Sequence, residues 1–166
     1  MNIIIDASSS INLHRSGMLE VVLGLTSFAF VFHMGYIVMG ECGDLREVLE
    51  PWVRSGMLIT LPDNALDPEE FADVLNLYGL GLGETECMAL AKQQDLCVCT
   101  DDKAARRAAA KHLGDERVLG SLRLIRECVR HRLLSAQQAH AAYETMKDQG
   151  AFLPPVSANY FDCGEK

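Results

Sequence analysis

Residues 98–107 have the sequence VCTDDKAARR, in which a short apolar run ends at Thr100 and is followed by two adjacent acids and a basic helical segment. Acids placed where a strand passes into a helix serve either as a helix cap or as part of a metal site. The positions of the chain's other carboxylates distinguish these two interpretations.

Short apolar runs alternate with helical segments along the whole chain. Strands are predicted at 2–5, 28–32, 57–61, 96–100 and 117–119, and helices at 11–15, 18–25, 35–49, 67–78, 84–93, 103–113, 122–133 and 136–149. This alternation predicts an α/β fold with three α/β/α layers and a central, mostly parallel sheet of four to five strands. We expect one domain over residues 1–150 and a tail, 151–166, that is poorly ordered or lies on the surface from Pro154 onward.

The charge distribution is uneven. The 166-residue chain has a formal net charge of -8, which by itself speaks against a nucleic-acid partner. Residues 101–132, however, contain nine Lys or Arg and five Asp or Glu. A basic sector beside an acidic one suits a metal-dependent phosphodiester enzyme, and it equally suits a solvated helix face.

The cysteines and the apolar segments bear on where the protein works. The six cysteines form neither a CxxC pair nor a zinc-finger spacing, so we expect small buried side chains in a reducing compartment. The sequence MNIIIDASSS lacks the basic and apolar regions of a signal peptide, which predicts a cytoplasmic location. Residues 21–40 are uncharged, but their three glycines favour a helix end plus a buried strand over a membrane span.

Acids follow two of the predicted strands. Asp6 follows the first strand, and the pair Asp101 and Asp102 follows the fourth. In a parallel sheet the carboxyl ends of the strands form the edge at which ligands bind. These acids therefore belong to one site if the two strands are neighbours.

Further acids lie on helices that begin at the same edge. Glu84 is in a first helical turn above a buried face, whereas Glu86, about 200° further round the helix, is expected to point elsewhere. Glu41 lies beside core positions of the helix after the second strand, and we expect Asp44 and Glu47 to face solvent. Which of these last three is the second acid of the site stays open.

Converging carboxylates repel one another unless a divalent cation neutralises them. Carboxylate oxygens suit Mg²⁺ or Mn²⁺, and a metal-bound water that attacks phosphorus is the natural chemistry. Each acid alone also has a structural interpretation, with Asp101 or Asp6 as a helix cap and Glu86 as a surface acid. Their joint placement favours the metal site.

Four segments together resemble the PIN domain family, particularly the prokaryotic branch that includes VapC-type toxins. They are IIIDASSSINL (3–13), VMGE (38–41), LGLGETECMALAK (80–92) and VCTDDKAARRAA (98–109), and the resemblance covers residues 2–133. It implies a Mg²⁺- or Mn²⁺-dependent endoribonuclease, and for a toxin it implies an antitoxin partner and a homodimer. No membrane partner is expected.

The resemblance also assigns roles to residues. The catalytic carboxylates would be Asp6, Glu41, Glu84 and Asp102, and the metal ligands Asp6, Glu84 and Asp102, with Glu86 and Asp101 as further candidates. Ser8 and Thr100 would lie beside the substrate, and Lys103, Arg106 and Arg107 near its phosphates. The alternative is a PIN-like module that no longer cuts and binds RNA or a protein.

Other α/β families fit less well. A haloacid dehalogenase would have an Asp where Ser8 stands, and a receiver domain would have its acid pair near the first strand. The glycines at 79–83 lack the lysine of a P-loop. The five histidines are scattered, which disfavours a zinc site.

Overall fold

A five-stranded parallel sheet forms the centre of the protein in the computed structural model, which describes residues 1–163. The strands are β1 (Asn2–Ile5), β2 (Val31–Met34), β3 (Leu58–Thr60), β4 (Cys97–Cys99) and β5 (Val118–Leu119). The helices are α1 (Ala7–Arg15), α2 (Leu19–Leu23), α3 (Tyr36–Glu41), α4 (Leu45–Arg54), α5 (Pro68–Tyr78), α6 (Leu82–Gln94), α7 (Lys103–Leu113), α8 (Ser121–Arg130) and α9 (Ala136–Asp148).

The strand order is β3-β2-β1-β4-β5, and all four pairings are parallel. Ile3 of β1 pairs with Phe32 on one side and with Cys97 on the other. Helix α6 packs against α3, α5 and α7, while α1 packs against α2, α8 and α9. The predicted three-layer α/β/α fold is confirmed, with five strands.

The central position of β1 explains its sequence. Ile3, Ile4 and Ile5 are almost fully buried, because strands covered on both faces have no solvent side that would require polar alternation. Asp6 continues β1 into the ladder by donating its amide hydrogen to the Cys99 carbonyl at 3.0 Å. The first acid therefore lies directly beside the end of β4, as expected for neighbouring strands.

Several predicted elements are wrong in their boundaries: the helix predicted at 11–15 begins at Ala7, and the helix predicted at 122–133 ends at Arg130. The aromatic run at 28–32 is not one strand, because Gly24–Phe28 forms a 3-10 helix and Ala29 has a left-handed φ of 63° before β2 begins. The helix predicted at 35–49 is two helices, α3 and α4, separated near Gly43, whose φ is 53°. The second of them, α4, continues past the predicted end at residue 49 to Arg54, with Pro51 inside it.

The C-terminal segment packs against the domain. The Tyr143 hydroxyl of α9 donates to the Pro154 carbonyl at 3.3 Å and accepts from the Val156 amide at 3.2 Å. A 3-10 turn, Ala158–Phe161, follows, and Phe161 is fully buried. The expectation of a loose surface tail is wrong at Phe161, and the last three residues of that predicted tail, 164–166, lie outside the described residues.

Two further expectations have outcomes in the structure. Cys42, Cys87, Cys99 and Cys128 are buried free thiols, and Cys97 and Cys163 are free and half-buried. Over residues 1–163, none of the helices combines the length and the apolar character needed to cross a membrane.

Candidate metal-binding active site

Asp6 is held rigidly at the carboxyl edge of the sheet. It is the N-cap of α1: its Oδ1 accepts from the Ser9 amide at 2.8 Å and its Oδ2 from the Ser8 hydroxyl at 2.7 Å. Ser8, Ser9 and Ser10 lie in the first turn of this helix. Burial raises the pKa of Asp6, while hydrogen bonding from Thr100, Ser9 and Ser8 acts in the opposite direction.

The two acids after β4, Asp101 and Asp102, bind the first turns of two different helices. Asp102 is the N-cap of α7, and its Oδ1 accepts from the Ala105 amide at 2.8 Å. Asp101 turns away: its Oδ1 accepts from the Ser121 amide of α8 at 2.9 Å and its Oδ2 from the Asn12 side chain at 2.9 Å. Asp101 therefore joins α1 to α8, a role that its position before α7 did not predict.

Glu84 and Glu41 reach the same edge from α6 and α3. Glu84 Oε2 accepts from the Gly81 amide at 3.0 Å, which caps α6. Glu41 Oε1 accepts from the Gly83 amide at 3.1 Å, and a Cβ at Gly83 would collide with the Glu41 carboxylate. Asp44 and Glu47 are exposed, as expected for solvent-facing acids.

Glu86 is not a surface acid, and this expectation is wrong. Its side chain is buried, with Oε1 accepting from the Ile37 amide at 2.9 Å and Oε2 from the Val38 amide at 3.0 Å. Gly35 makes room for it, since a Cβ there would collide with the carboxylate. Both carboxylate oxygens therefore accept from amides in the first turn of α3. Glu86 connects α6 to α3, and neither of its oxygens is left without a protein donor.

The electrostatics tie four carboxylates into one cluster. Burial raises the pKa of Glu84, and three negative charges, those of Asp102, Asp6 and Glu41, raise it further. In the described chain none of the four has a Lys, Arg or His within 4.0 Å. The repulsion among these acids is therefore not neutralised by the protein itself.

The carboxylate groups of this cluster suit a hard divalent cation such as Mg²⁺, although their side chains are not arranged around one ion position. No three His, Cys, Asp or Glu side chains within residues 1–163 stand ready to hold an ion together. Carboxylate oxygens without a protein cation are nevertheless the ligands that Mg²⁺ and Mn²⁺ prefer, and both ions retain several waters. Asp6, Glu41, Glu84 and Asp102 are thus the residues that could hold one.

The predicted substrate-side residues differ in their exposure to solvent. Lys103 and Arg107 are exposed on α7 and have no carboxylate within 4.0 Å in residues 1–163. Arg106 is half-buried, and its Nη1 donates to the Thr100 carbonyl at 3.4 Å. Thr100 is buried and its hydroxyl accepts from the Asp102 amide at 3.2 Å.

Sequence reasoning missed the groups that position these acids. Asn12, Ser121, Gly35 and Gly83 hold Asp101, Glu86 and Glu41 through contacts between distant parts of the chain. The glycines at 79–83 are the sequence signal for the contact at Gly83, but on the sequence alone they were compared only with a P-loop.

The fold agrees with a comparison of the sequence with known protein families. A model of the PIN domain family matches residues 2–160. The comparison with curated proteins finds no match.

Proposed function

Because the chain belongs to the PIN domain family, we propose that it is a Mg²⁺- or Mn²⁺-dependent endoribonuclease. PIN domains are generally nucleases and typically use divalent metal ions. The observation that carries the proposal is the cluster of four carboxylates, Asp6, Glu41, Glu84 and Asp102. Within the described residues, no Lys, Arg or His lies within 4.0 Å of any of them to neutralise their charge.

The protein's own residues would hold and orient the reacting groups. Ser8 and the Ser9 amide fix Asp6, while Asp102 and Glu84 are fixed by the first turns of α7 and α6. Lys103 and Arg107, exposed on the helix that Asp102 caps, are available to bind RNA phosphates. A bound divalent ion would supply an activated water and would neutralise charge developing on the phosphate.

The test is cleavage of a labelled single-stranded RNA by purified protein with Mg²⁺ or Mn²⁺. We expect Asp6→Asn and Asp102→Asn each to reduce the cleavage rate by roughly 100-fold or more. Loss of a residue that only supports a metal ligand already costs about 10- to 100-fold in activity, and loss of the ligand itself should cost at least as much. Thermal unfolding followed by circular dichroism should show that both variants stay folded. Full activity in both variants would refute the proposal.

The same assay identifies the second acid of the site. We expect Glu41→Gln to lose activity, because its carboxylate lies against Gly83 at the edge of the sheet. Asp44→Asn and Glu47→Gln are matched controls that remove one exposed negative charge from the same region. Loss of activity in Asp44→Asn or Glu47→Gln with a normal Glu41→Gln would move the second acid to that position.

A second candidate function is a PIN-like module that binds RNA or a protein without cutting it. The observation in its favour is that the acids in residues 1–163 are not gathered around one ion position. Parallel assays of binding and of RNA cleavage in Mn²⁺ separate the two functions. RNA or protein binding without cleavage of any RNA, whether or not Mn²⁺ binds, would support the binding module.

A toxin role is a narrower form of the nuclease proposal. It requires an antitoxin, whose arginine would enter the carboxylate cluster, and toxins of this kind often pair as homodimers. Inhibition of RNA cleavage by the product of a small adjacent reading frame would support this role. Size-exclusion chromatography with light scattering would test the dimer.

A further inference from the structure

A basic cleft adjoins the carboxyl edge of the sheet beside α8. It consists of two cavities of about 200 and 610 Å³ that share Arg123 and Tyr160. The smaller cavity reaches Asp101, Arg106 and Gly120, and the larger one continues to Arg126 and Arg130. We call Arg123, Arg126, Arg130 and Tyr160 the arginine cleft.

Only one of the three arginines in the arginine cleft is paired with a carboxylate of the described chain. Arg130 is paired with Glu127 at 3.0 Å. Arg123 and Arg126 are exposed, and no carboxylate within residues 1–163 lies within 4.0 Å of either guanidinium. In a chain of net charge -8, two such neighbouring cations on one helix leave an anion-binding surface.

An aromatic ring lies among these cations. The Arg126 guanidinium sits over the Tyr160 ring, 5.3 Å from its centre, and Tyr160 packs edge-on against the buried Phe161 with centroids 5.0 Å apart. The ring is therefore held in place by the core while remaining half-exposed at the cleft. Fixed aromatic rings beside arginines are the usual platform for bases of a single strand.

The cleft begins at the carboxyl edge of the sheet. Gly120, which follows β5, and Asp101, which follows β4, both line the smaller cavity, together with Arg106 of α7, the helix that Asp102 caps. The Arg106 and Asp101 side chains pack against Gly120 without space for a Cβ, since a Cβ there would lie 2.9 Å from Asp101 Oδ1 and still closer to Arg106 Nη1. The cleft and the carboxylate cluster therefore lie at the same edge of the sheet.

We propose that the arginine cleft binds single-stranded RNA on one side of the bond to be cut, with phosphates at Arg123 and Arg126 and a base against Tyr160. The location of the cut rests on the proposed function; the binding site does not. A single strand fits because its bases are free to stack and its backbone bends. RNA is favoured over an acidic peptide because the cleft offers an aromatic platform and begins at the same edge of the sheet as the carboxylate cluster.

The test measures binding of a fluorescein-labelled single-stranded RNA by anisotropy, in EDTA, over a range of salt concentrations. We expect Arg123→Ala/Arg126→Ala to weaken binding about 10-fold or more and to reduce the salt slope by about 1.4, since each phosphate contact to a single strand contributes about 0.7. Arg15→Ala/Lys111→Ala is the matched control. It removes two cations from the last turns of α1 and α7, which begin at the carboxyl edge and end away from it.

The role of the ring is tested separately. We expect Tyr160→Phe to keep RNA affinity, because the ring is retained, and Tyr160→Leu to lose several-fold. Equal RNA affinities of the Leu and Phe variants would show that the Tyr160 ring does not contact the RNA. Circular dichroism melting of each variant shows whether the packing against Phe161 is preserved.

Parallel cleavage assays keep this inference apart from the proposed function. If the wild-type protein cuts RNA and Arg123→Ala/Arg126→Ala binds it as the control does, the cleft proposal is overturned and the nuclease stands. If no RNA is cut but binding still depends on these arginines, the nuclease fails and the cleft stands. Preferential binding of a labelled polyglutamate peptide, lost in the same variant, would overturn RNA as the ligand.

Discussion

The Glu41 carboxylate lies directly on the backbone of Gly83, whose amide donates to Glu41 Oε1 at 3.1 Å. The two residues are on different helices, α3 and α6, and the absence of a side chain at Gly83 allows the contact. This contact brings the acid of the short helix α3 to the edge occupied by Glu84 and Asp6.

Gly83→Ala should therefore disturb the carboxylate cluster. Its methyl group would displace Glu41, and we expect Mn²⁺ affinity measured by calorimetry to fall about 10-fold, as for loss of a supporting contact. Gly40→Ala is the matched control, since its Cβ meets nothing within 4 Å. Equal affinities in the two variants would contradict the importance of the Glu41–Gly83 contact.

Glu86→Ala should destabilise the fold. It removes the acceptor for the Ile37 and Val38 amides, the latter buried, and we expect the free energy of unfolding to fall by about 2–4 kcal/mol. Urea denaturation measures the loss, with the exposed Asp73→Ala as control. A loss near that of the control would show that α3 does not depend on Glu86.

Glu70 should make stability depend on pH. Its carboxylate accepts from Lys92 of α6 at 2.7 Å and contacts His112 of α7 at 3.1 Å, and the hydrogen bond from Lys92 is the main cause that lowers its pKa. A lowered pKa stabilises the fold above the ordinary pKa of a glutamate, and the benefit is lost as pH falls through the folded value.

We expect Glu70→Gln to lower the free energy of unfolding at neutral pH by about 0.5–1 kcal/mol, a small value because Lys92 is half-exposed. The difference from the wild-type protein should disappear in acid. Urea denaturation at several pH values measures it, and a difference that persists unchanged in acid would show that the ion pair is not its cause.

Phe161→Ala should be costly although the residue lies close to the C-terminus. Its ring is fully buried, and truncation of a buried Phe costs about 3–5 kcal/mol. Phe152→Ala is a matched control, because Phe152 is 82% exposed. Similar melting temperatures for the two variants would mean that the segment after α9 contributes little to the core.

The sequence predicted the elements whose signals are local. Helix α7 was predicted at 103–113 and spans Lys103–Leu113, because an N-capping acid precedes an alanine-rich segment. The sequence placed Asp6 and Asp102 after two strands of one parallel sheet but left open whether those strands are neighbours, and the pairing of β1 with β4 shows that they are.

The sequence could not predict the roles that depend on distant backbone groups. Glu86 binds amides about 50 residues away in the chain, and Asp101 binds Asn12 about 90 residues away, so neither contact has a local signature. The division of α3 from α4 was also hidden, because it depends on the left-handed backbone at Gly43. The roles of the site residues in metal binding and cleavage stay predictions.

The central position of β1 has a consequence for folding during synthesis. Its partner β4 lies about 90 residues later in the chain, and contacts of such separation form slowly because a long loop must close first. A nascent chain that has released only β1, β2 and β3 from the ribosome exposes the second edge of β1. Asp6 and Asp102 meet only after β4 has entered the sheet, so the acidic cluster cannot be complete while the chain exposed to solvent ends before β4.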